Sequence, residues 1–277
     1  MPVTVLSHPA CNRHNVGSDH PENPARLHAI SDQILSSGLE FVIHQRDAKA
    51  ADVEQIALAH DRAYIQSVIS KSPSAGQVWL DDDTAIMNKS LEAAMYAAGA
   101  GIMAVDLVMQ GHDQQVFCAI RPPGHHAESA QAMGFCVFNN IAIAAKYALA
   151  QYGLRRVAII DFDVHHGNGT EQIFKTDDRV LFCSSFEHPF YPYTDPIGTP
   201  LCLKMPLAAG SQGAAFRQAF KSEWLPALRA FQPELILVSA GFDAHQEDEM
   251  AHLKWTEHDY AWIASELKQL AQAYCGG

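Results

Sequence analysis

Short, nearly continuous apolar runs recur along this chain, separated by longer stretches of helical periodicity. The runs at 3–6, 116–120, 157–160, 180–183 and 235–239 are each rich in Val, Ile, Leu or Phe. Such runs suit strands buried on both faces of a parallel sheet. Pro24 suits a first helical position after Asn23; Leu27, Ile30, Ile34 and Leu35 follow at helical spacing, and Gly38 closes the end. Further helices are expected over 91–109, over 138–150 up to Gly153, over 216–230 and over 256–274. Pro226 must bend or break the fourth. Thr256 and Asp259 read as a capping box for the last, with Tyr260, Ile263, Leu267, Leu270 and Tyr274 along one face.

Strand alternating with helix predicts an α/β fold: a mostly parallel β-sheet flanked by helices on both faces, joined by right-handed crossovers. A length of 277 residues is near the upper size for a single core. One domain spanning 1–277 is therefore expected. In such sheets ligands bind beyond the carboxyl ends of the strands.

Charge and cysteines narrow the class. Nineteen Lys and Arg against 31 Asp and Glu give a net charge of −12. That balance argues against binding nucleic acid through its phosphates and is compatible with a cationic substrate. The most apolar stretch, 91–109, carries Glu92 and Asp106 and reads as a buried helix, so no membrane partner is expected. Six cysteines include no Cys-x-x-Cys pair and suggest neither a zinc knuckle nor a disulfide framework. Residues 1–13 have neither a basic nor an apolar leader region. A cytoplasmic, reducing location is the expectation.

The chemistry concentrates at three strand ends. The run at 157–160 leads into Asp161, Asp163 and His165 at alternate positions, followed by glycines at 167 and 169 that allow a sharp turn. Alternate residues of an extended chain point the same way, so a carboxylate and an imidazole two apart can meet one ion. The run at 235–239 leads through Ser239-Ala-Gly241 to Asp243, placed to add a third ligand. Two carboxylates and one histidine leave an open position, as a catalytic zinc requires, and such a set also tolerates iron or manganese. The run at 116–120 leads through Arg121-Pro-Pro-Gly to His125 and His126. Asp161 can then orient one imidazole, and Asn168 the other without a charge. Unlike partners would push the two imidazole pKa values apart, which suits one acid and one base.

At these residues the sequence resembles the zinc-dependent histone deacetylase family, nearest to its bacterial class II-like and amidohydrolase members. Four ordered blocks carry the resemblance: His20-Pro-Glu-Asn-Pro-Ala-Arg-Leu27, Arg121 to His126 with Gly134-Phe-Cys-Val-Phe-Asn-Asn140, Asp161 to Gly169, and Gly241-Phe-Asp-Ala-His245. The resemblance implies Asp163, His165 and Asp243 as zinc ligands and His125 and His126 as the acid–base pair. It places Asp161 behind His125 and Asn168 behind His126. It implies Phe135, beside Gly134, and Tyr191 as walls of an acyl-lysine tunnel, and Arg26 as lining a product channel. Structural K+ near the metal strand and Ser184 is implied too, as is a substrate-gripping rim residue among Asp81, Asp82 and Asp83. The substrate would be an acetylated peptide or a small acetylated amine, cleaved to acetate and free amine.

The family also places a catalytic tyrosine in a Gly-Gly-Tyr segment after the last helix, and this sequence ends at Tyr274-Cys-Gly-Gly277. A metal-binding acyl-lysine binder with impaired catalysis is thus one alternative, and an acetylpolyamine amidohydrolase another. A dinuclear manganese ureohydrolase would need Asp-x-His-x-Asp, but Gly167 stands two after His165 and His245 two after Asp243.

Overall fold

The computed structural model of the chain describes residues 3–17 and 20–277. They fall into two compact units, Met1–Tyr152 and Gly153–Gly277. Parallel strands and helices build both.

In the first unit the order is β1 (Val3–Ser7), α1 (Pro9–Asn12), α2 (Ala25–Ser36), β2 (Ile43–Asp47), α3 (Val53–Ile56), α4 (Arg62–Lys71), β3 (Gln77–Trp79), β4 (Ala85–Met87), α5 (Ser90–Met109), β5 (Val116–Cys118) and α6 (Asn140–Gln151). Strands β2, β1 and β5 form a parallel sheet in that order, and β3 pairs antiparallel with β4. Helix α2 begins one residue later than its sequence suggests, with Pro24 at the N-cap, and Asn23 Oδ1 accepts the Ala25 N–H at 2.9 Å. The apolar α5 is long enough to cross a membrane by length and composition alone. Here it is the core helix of its unit, packed against α1, α6 and β5. Ala93, Ala94, Ala97 and Ala98 are all fully buried along it, and their small side chains allow close packing.

A buried ion pair ties the N-terminal segment of this unit to the chain beyond β5. Arg121 is fully buried, and its guanidinium donates to both oxygens of Glu22, with Nη2 to Oε2 at 2.6 Å. It also donates to the carbonyls of Cys11 (3.0 Å) and His14 (2.8 Å). Burial pushes the Glu22 carboxyl up, but the bonds from His14 and Arg121 outweigh it and hold it at about 2, against an ordinary 4.5. A carboxyl depressed by folding stabilises above its unfolded pKa, and that contribution fades as pH falls towards the folded value. This unit is therefore expected to lose about 3 kcal/mol between roughly pH 4.5 and pH 2. Urea melts across that range should show the slope, and Glu22→Gln should flatten it.

The second unit runs β6 (Val157–Asp161), α7 (Asn168–Phe174), β7 (Val180–Glu187), β8 (Cys202–Leu207), α8 (Gly213–Ala219), a π-helical turn (Phe220–Trp224), α9 (Leu225–Phe231), β9 (Leu235–Ser239) and α10 (Glu257–Tyr274). Its parallel sheet has the order β8-β7-β6-β9. All five residues of β6 are buried. The helix expected over 216–230 is interrupted by the π turn, and Pro226 lies in the first turn of α9, directly after it. Phe216, Phe220, Trp224 and Trp255 pack in the core, with the Phe216 and Trp255 rings 4.3 Å apart. At the start of α10 the Asp259 carboxylate accepts the Thr256 N–H at 2.8 Å and its hydroxyl at 3.1 Å.

This strand order fixes where a ligand can sit. From β6 the chain moves to β7 and β8 on one side, while β9 comes back to the other side of β6. The carboxyl ends of β6 and β9 thus flank a topological switch point, the place where open α/β sheets bind ligands.

Candidate metal centre and active site

Strand β6 stops at Asp161, short of the extended run through His165 that the alternating pattern predicts. Side chains take over from the ladder. The Asp163 N–H donates to Asp161 Oδ1 at 3.2 Å, and the His165 N–H donates to Asp163 Oδ1 at 2.8 Å. These turns keep Asp163 and His165 together beyond the strand end. Asp243 arrives from the end of β9, where its Oδ1 accepts the Val164 N–H at 3.0 Å. The His165 Nδ1 lies 3.0 Å from Asp163 Oδ1 and 3.1 Å from Asp243 Oδ2. One ligand atom from each of the three lies within 4.8 Å of the others, the one such group among the described residues. Gly241 makes the approach possible, since a β-carbon there would overlap the Asp163 carboxylate and backbone.

The electrostatics of the triad suit a cation. Burial raises the Asp243 carboxyl, and the like charge of Asp163 raises it further. Burial alone would lower His165, but its hydrogen bonds to the Asp163 and Asp243 carboxylates outweigh it and raise it. Two partly shielded carboxylates with one imidazole are short of positive charge. Oxygen and nitrogen donors in that number match a catalytic divalent site with an open position. The donor set therefore fits zinc or ferrous iron.

Aromatic rings flank the triad. Phe190 lies nearly parallel to His165, with centroids 5.4 Å apart and 21° between planes. Tyr191, the wall expected from the sequence, meets the same imidazole edge-on at 5.9 Å. The sequence did not single out Phe190, since two adjacent aromatics leave open which one stacks. Tyr260 on α10 donates its hydroxyl to the Phe242 carbonyl at 3.0 Å, next to Asp243. Burial and the Asp243 and Asp163 carboxylates push its phenol well above its ordinary value, so it remains a donor.

In the first unit, His125 and His126 are both buried, with ring centroids 4.0 Å apart. The start of α6 clamps their loop at both ends. Asn140 Nδ2 donates to the Pro122 carbonyl at 3.1 Å, and Asn139 Nδ2 to the Ala127 carbonyl at 3.0 Å. The same Asn139 caps α6, accepting the Ala142 N–H at 3.0 Å. Phe135 has φ 66° and follows Gly134, with φ 55°. The Phe135 N–H donates to Thr84 Oγ1 at 3.1 Å, and its ring meets His20 edge-on at 4.6 Å.

Gly134 sits against His126, and a β-carbon there would overlap the imidazole. Gly134→Ala is expected to destabilise the unit by about 1–3 kcal/mol, through overpacking and an unfavourable positive φ. A thermal melt would register this as a drop in Tm, and an unchanged Tm would mean that the ring moves aside freely.

Among the three rim aspartates, two are committed inward. Asp81 accepts the Asp83 N–H at 3.1 Å and Gln131 Nε2 at 3.2 Å. Asp83 accepts the Gly134 N–H at 2.8 Å and the Thr84 hydroxyl at 2.7 Å. Asp82 is exposed. Arg26, expected from the resemblance to line a channel, has a side chain 52% exposed and pairs with Glu22 at 3.1 Å. Asp161 is fully buried at the end of β6, and Asn168 is the first residue of α7.

The Histone deacetylase domain family matches residues 20–276. Histone deacetylase 14, chloroplastic, of Arabidopsis thaliana is 38% identical over 296 residues, covering 99% of this chain and 70% of that protein. Histone deacetylase 10, chloroplastic, of Oryza sativa subsp. japonica is 38% identical over 93% of this chain, which spans 63% of its length. The histone deacetylase-like amidohydrolase of Pseudomonas aeruginosa is 35% identical, covering 93% of this chain and 70% of that protein. The crystal structure of the HDA15 HD domain superposes with a TM-score of 0.93 at 31% identity, covering 99% of this chain and 81% of that one.

Proposed function

This chain belongs to the histone deacetylase family of hydrolases, and from that premise we propose that it is a zinc-dependent deacetylase of acetyl-lysine in peptides or proteins. The observation that carries the reading is the convergence of Asp163, His165 and Asp243 at the switch point between β6 and β9. These three side chains would hold the metal. When bound, zinc at such a site polarises an amide carbonyl and lowers the pKa of a water. The same donor set accommodates ferrous iron.

The chain's own residues handle the protons. One of His125 and His126 takes a proton from the attacking water, and the protonated member of the pair returns one to the leaving amine. Water adds to the carbonyl carbon, the C–N bond breaks, and acetate and a free amine leave. The resemblance assigns Asp161 and Asn168 to orienting the two imidazoles. Phe135, Gly134 and Tyr191 line the path of the acyl-lysine chain, and K+ near Ser184 would brace the metal strand.

Substrate class rests on the rim. Asp82, exposed while its neighbours are tied inward, would accept backbone N–H groups of a peptide, which an acetylpolyamine lacks. The net charge of −12 favours the polyamine reading instead. Comparing kcat/KM on an acetyl-lysine peptide and on acetylated putrescine and spermidine decides between them. A peptide preference of about tenfold or more is expected, equivalent to about 1.4 kcal/mol of differential binding. A preference for the polyamines would overturn the peptide reading and keep the chemistry.

A further inference from the structure

Beside the metal triad lies a buried acid that the chemistry above does not use. Glu187, the last residue of β7, is 3% exposed. One residue occupies both of its oxygens: the His252 N–H donates to Oε2 at 2.8 Å, and the His252 imidazole Nδ1 lies 2.8 Å from Oε1. The side chain of His252 is itself 66% exposed. A buried carboxylate is tolerated only when its oxygens are satisfied, so the two residues are bound to act as a pair.

The pair reaches the triad by two routes. Through the backbone, the Glu187 N–H donates to the Val164 carbonyl at 2.8 Å, and the Val164 N–H donates to Asp243 Oδ1 at 3.0 Å. Through side chains, the His252 ring meets Phe190 edge-on at 5.6 Å, and Phe190 stacks on His165 at 5.4 Å. Asp163, His165 and Asp243 are joined by hydrogen bonds that run directly between them. A substrate amide must approach His165 to be cleaved, so the ring covering that imidazole is a surface it meets.

We propose that Glu187 and His252 form a latch that holds Phe190 against His165, making both of them positioning residues for the acyl group. The inference rests on the deacetylase reading for its consequence, but not for its geometry. Releasing the latch loosens the aromatic wall and leaves the ligands in place. Substrate binding should therefore suffer while turnover and metal retention do not.

The test is His252→Ala, which removes the imidazole partner of Glu187 Oε1 and so carries a thermal melt as fold control, with His252→Gln as the conservative variant that can still donate to Glu187. Crystal structures are compared with steady-state kinetics and metal content. In His252→Ala, Phe190 is expected to leave its stack on His165. KM for an acetyl-lysine peptide should rise on the order of tenfold, with kcat within about threefold and one metal per chain. His252→Gln should recover most of the KM. An unmoved Phe190, or kcat and metal content falling together with KM, overturns the latch. A displaced Phe190 in a protein whose parent chain releases no acetate sustains the latch and sinks the deacetylase reading. An unmoved Phe190 in an active enzyme does the reverse.

Discussion

Asp243→Ala is expected to leave the chain unable to retain a divalent metal and unable to release acetate. The aspartate supplies one of three donors, and its Oδ2 lies 3.1 Å from the imidazole of His165. With it gone, one carboxylate and one imidazole remain, too few for a catalytic site. Changes to outer groups that merely orient ligands already weaken metal binding by about 10–100-fold, so losing a ligand should exceed that range. Asp243 also accepts the Val164 N–H, so alanine could disturb the loop as well. Asp243→Asn separates the two effects, because its amide oxygen can still accept that bond. Metal analysis after dialysis, with a thermal melt as a fold control, should show both variants depleted and the asparagine form folded. Stoichiometric metal in either would remove Asp243 from the ligand set.

His126→Ala is expected to give the complementary result: one metal per chain and turnover reduced by about 10²–10⁴-fold, the usual worth of a positioned acid–base group. His126 is buried against Gly134, so alanine opens a cavity as well as deleting the imidazole. His126→Gln fills more of that space and should be equally slow if the proton transfer is what matters. Steady-state acetate release per bound metal is the appropriate measure. Full activity in the glutamine variant would take His126 out of the mechanism.

Much of this was readable from the residues, and the exceptions have physical causes. Strand β6 announces itself as Val157-Ala-Ile-Ile because it is buried on both faces. Strand β2 does not, because its last four residues, His44 to Asp47, are exposed at a sheet edge. Strand β8 was hidden by Lys204 and Pro206. The Lys204 side chain is nearly buried, its amine 2.9 Å from Glu171, a pairing that no local pattern reveals. Pro206 is tolerated because β8 is an edge strand. The ligand spacing pointed to Asp163 and His165, although a pair of side-chain turns, not an extended strand, holds them together. Contacts between residues distant in sequence, such as Glu22 with Arg121 or Glu187 with His252, leave no periodic trace and needed the fold.

The central claim is that Asp163, His165 and Asp243 hold one metal ion on which amide hydrolysis depends. Its most direct test is acetate release from an acetyl-lysine peptide by the chelator-stripped chain, titrated with zinc while bound metal is counted. Activity should be absent in the stripped protein and rise linearly to a break at one zinc per chain. Turnover that persists after the metal is removed, or a fully loaded chain that releases no acetate from any acetylated peptide or polyamine, would contradict it.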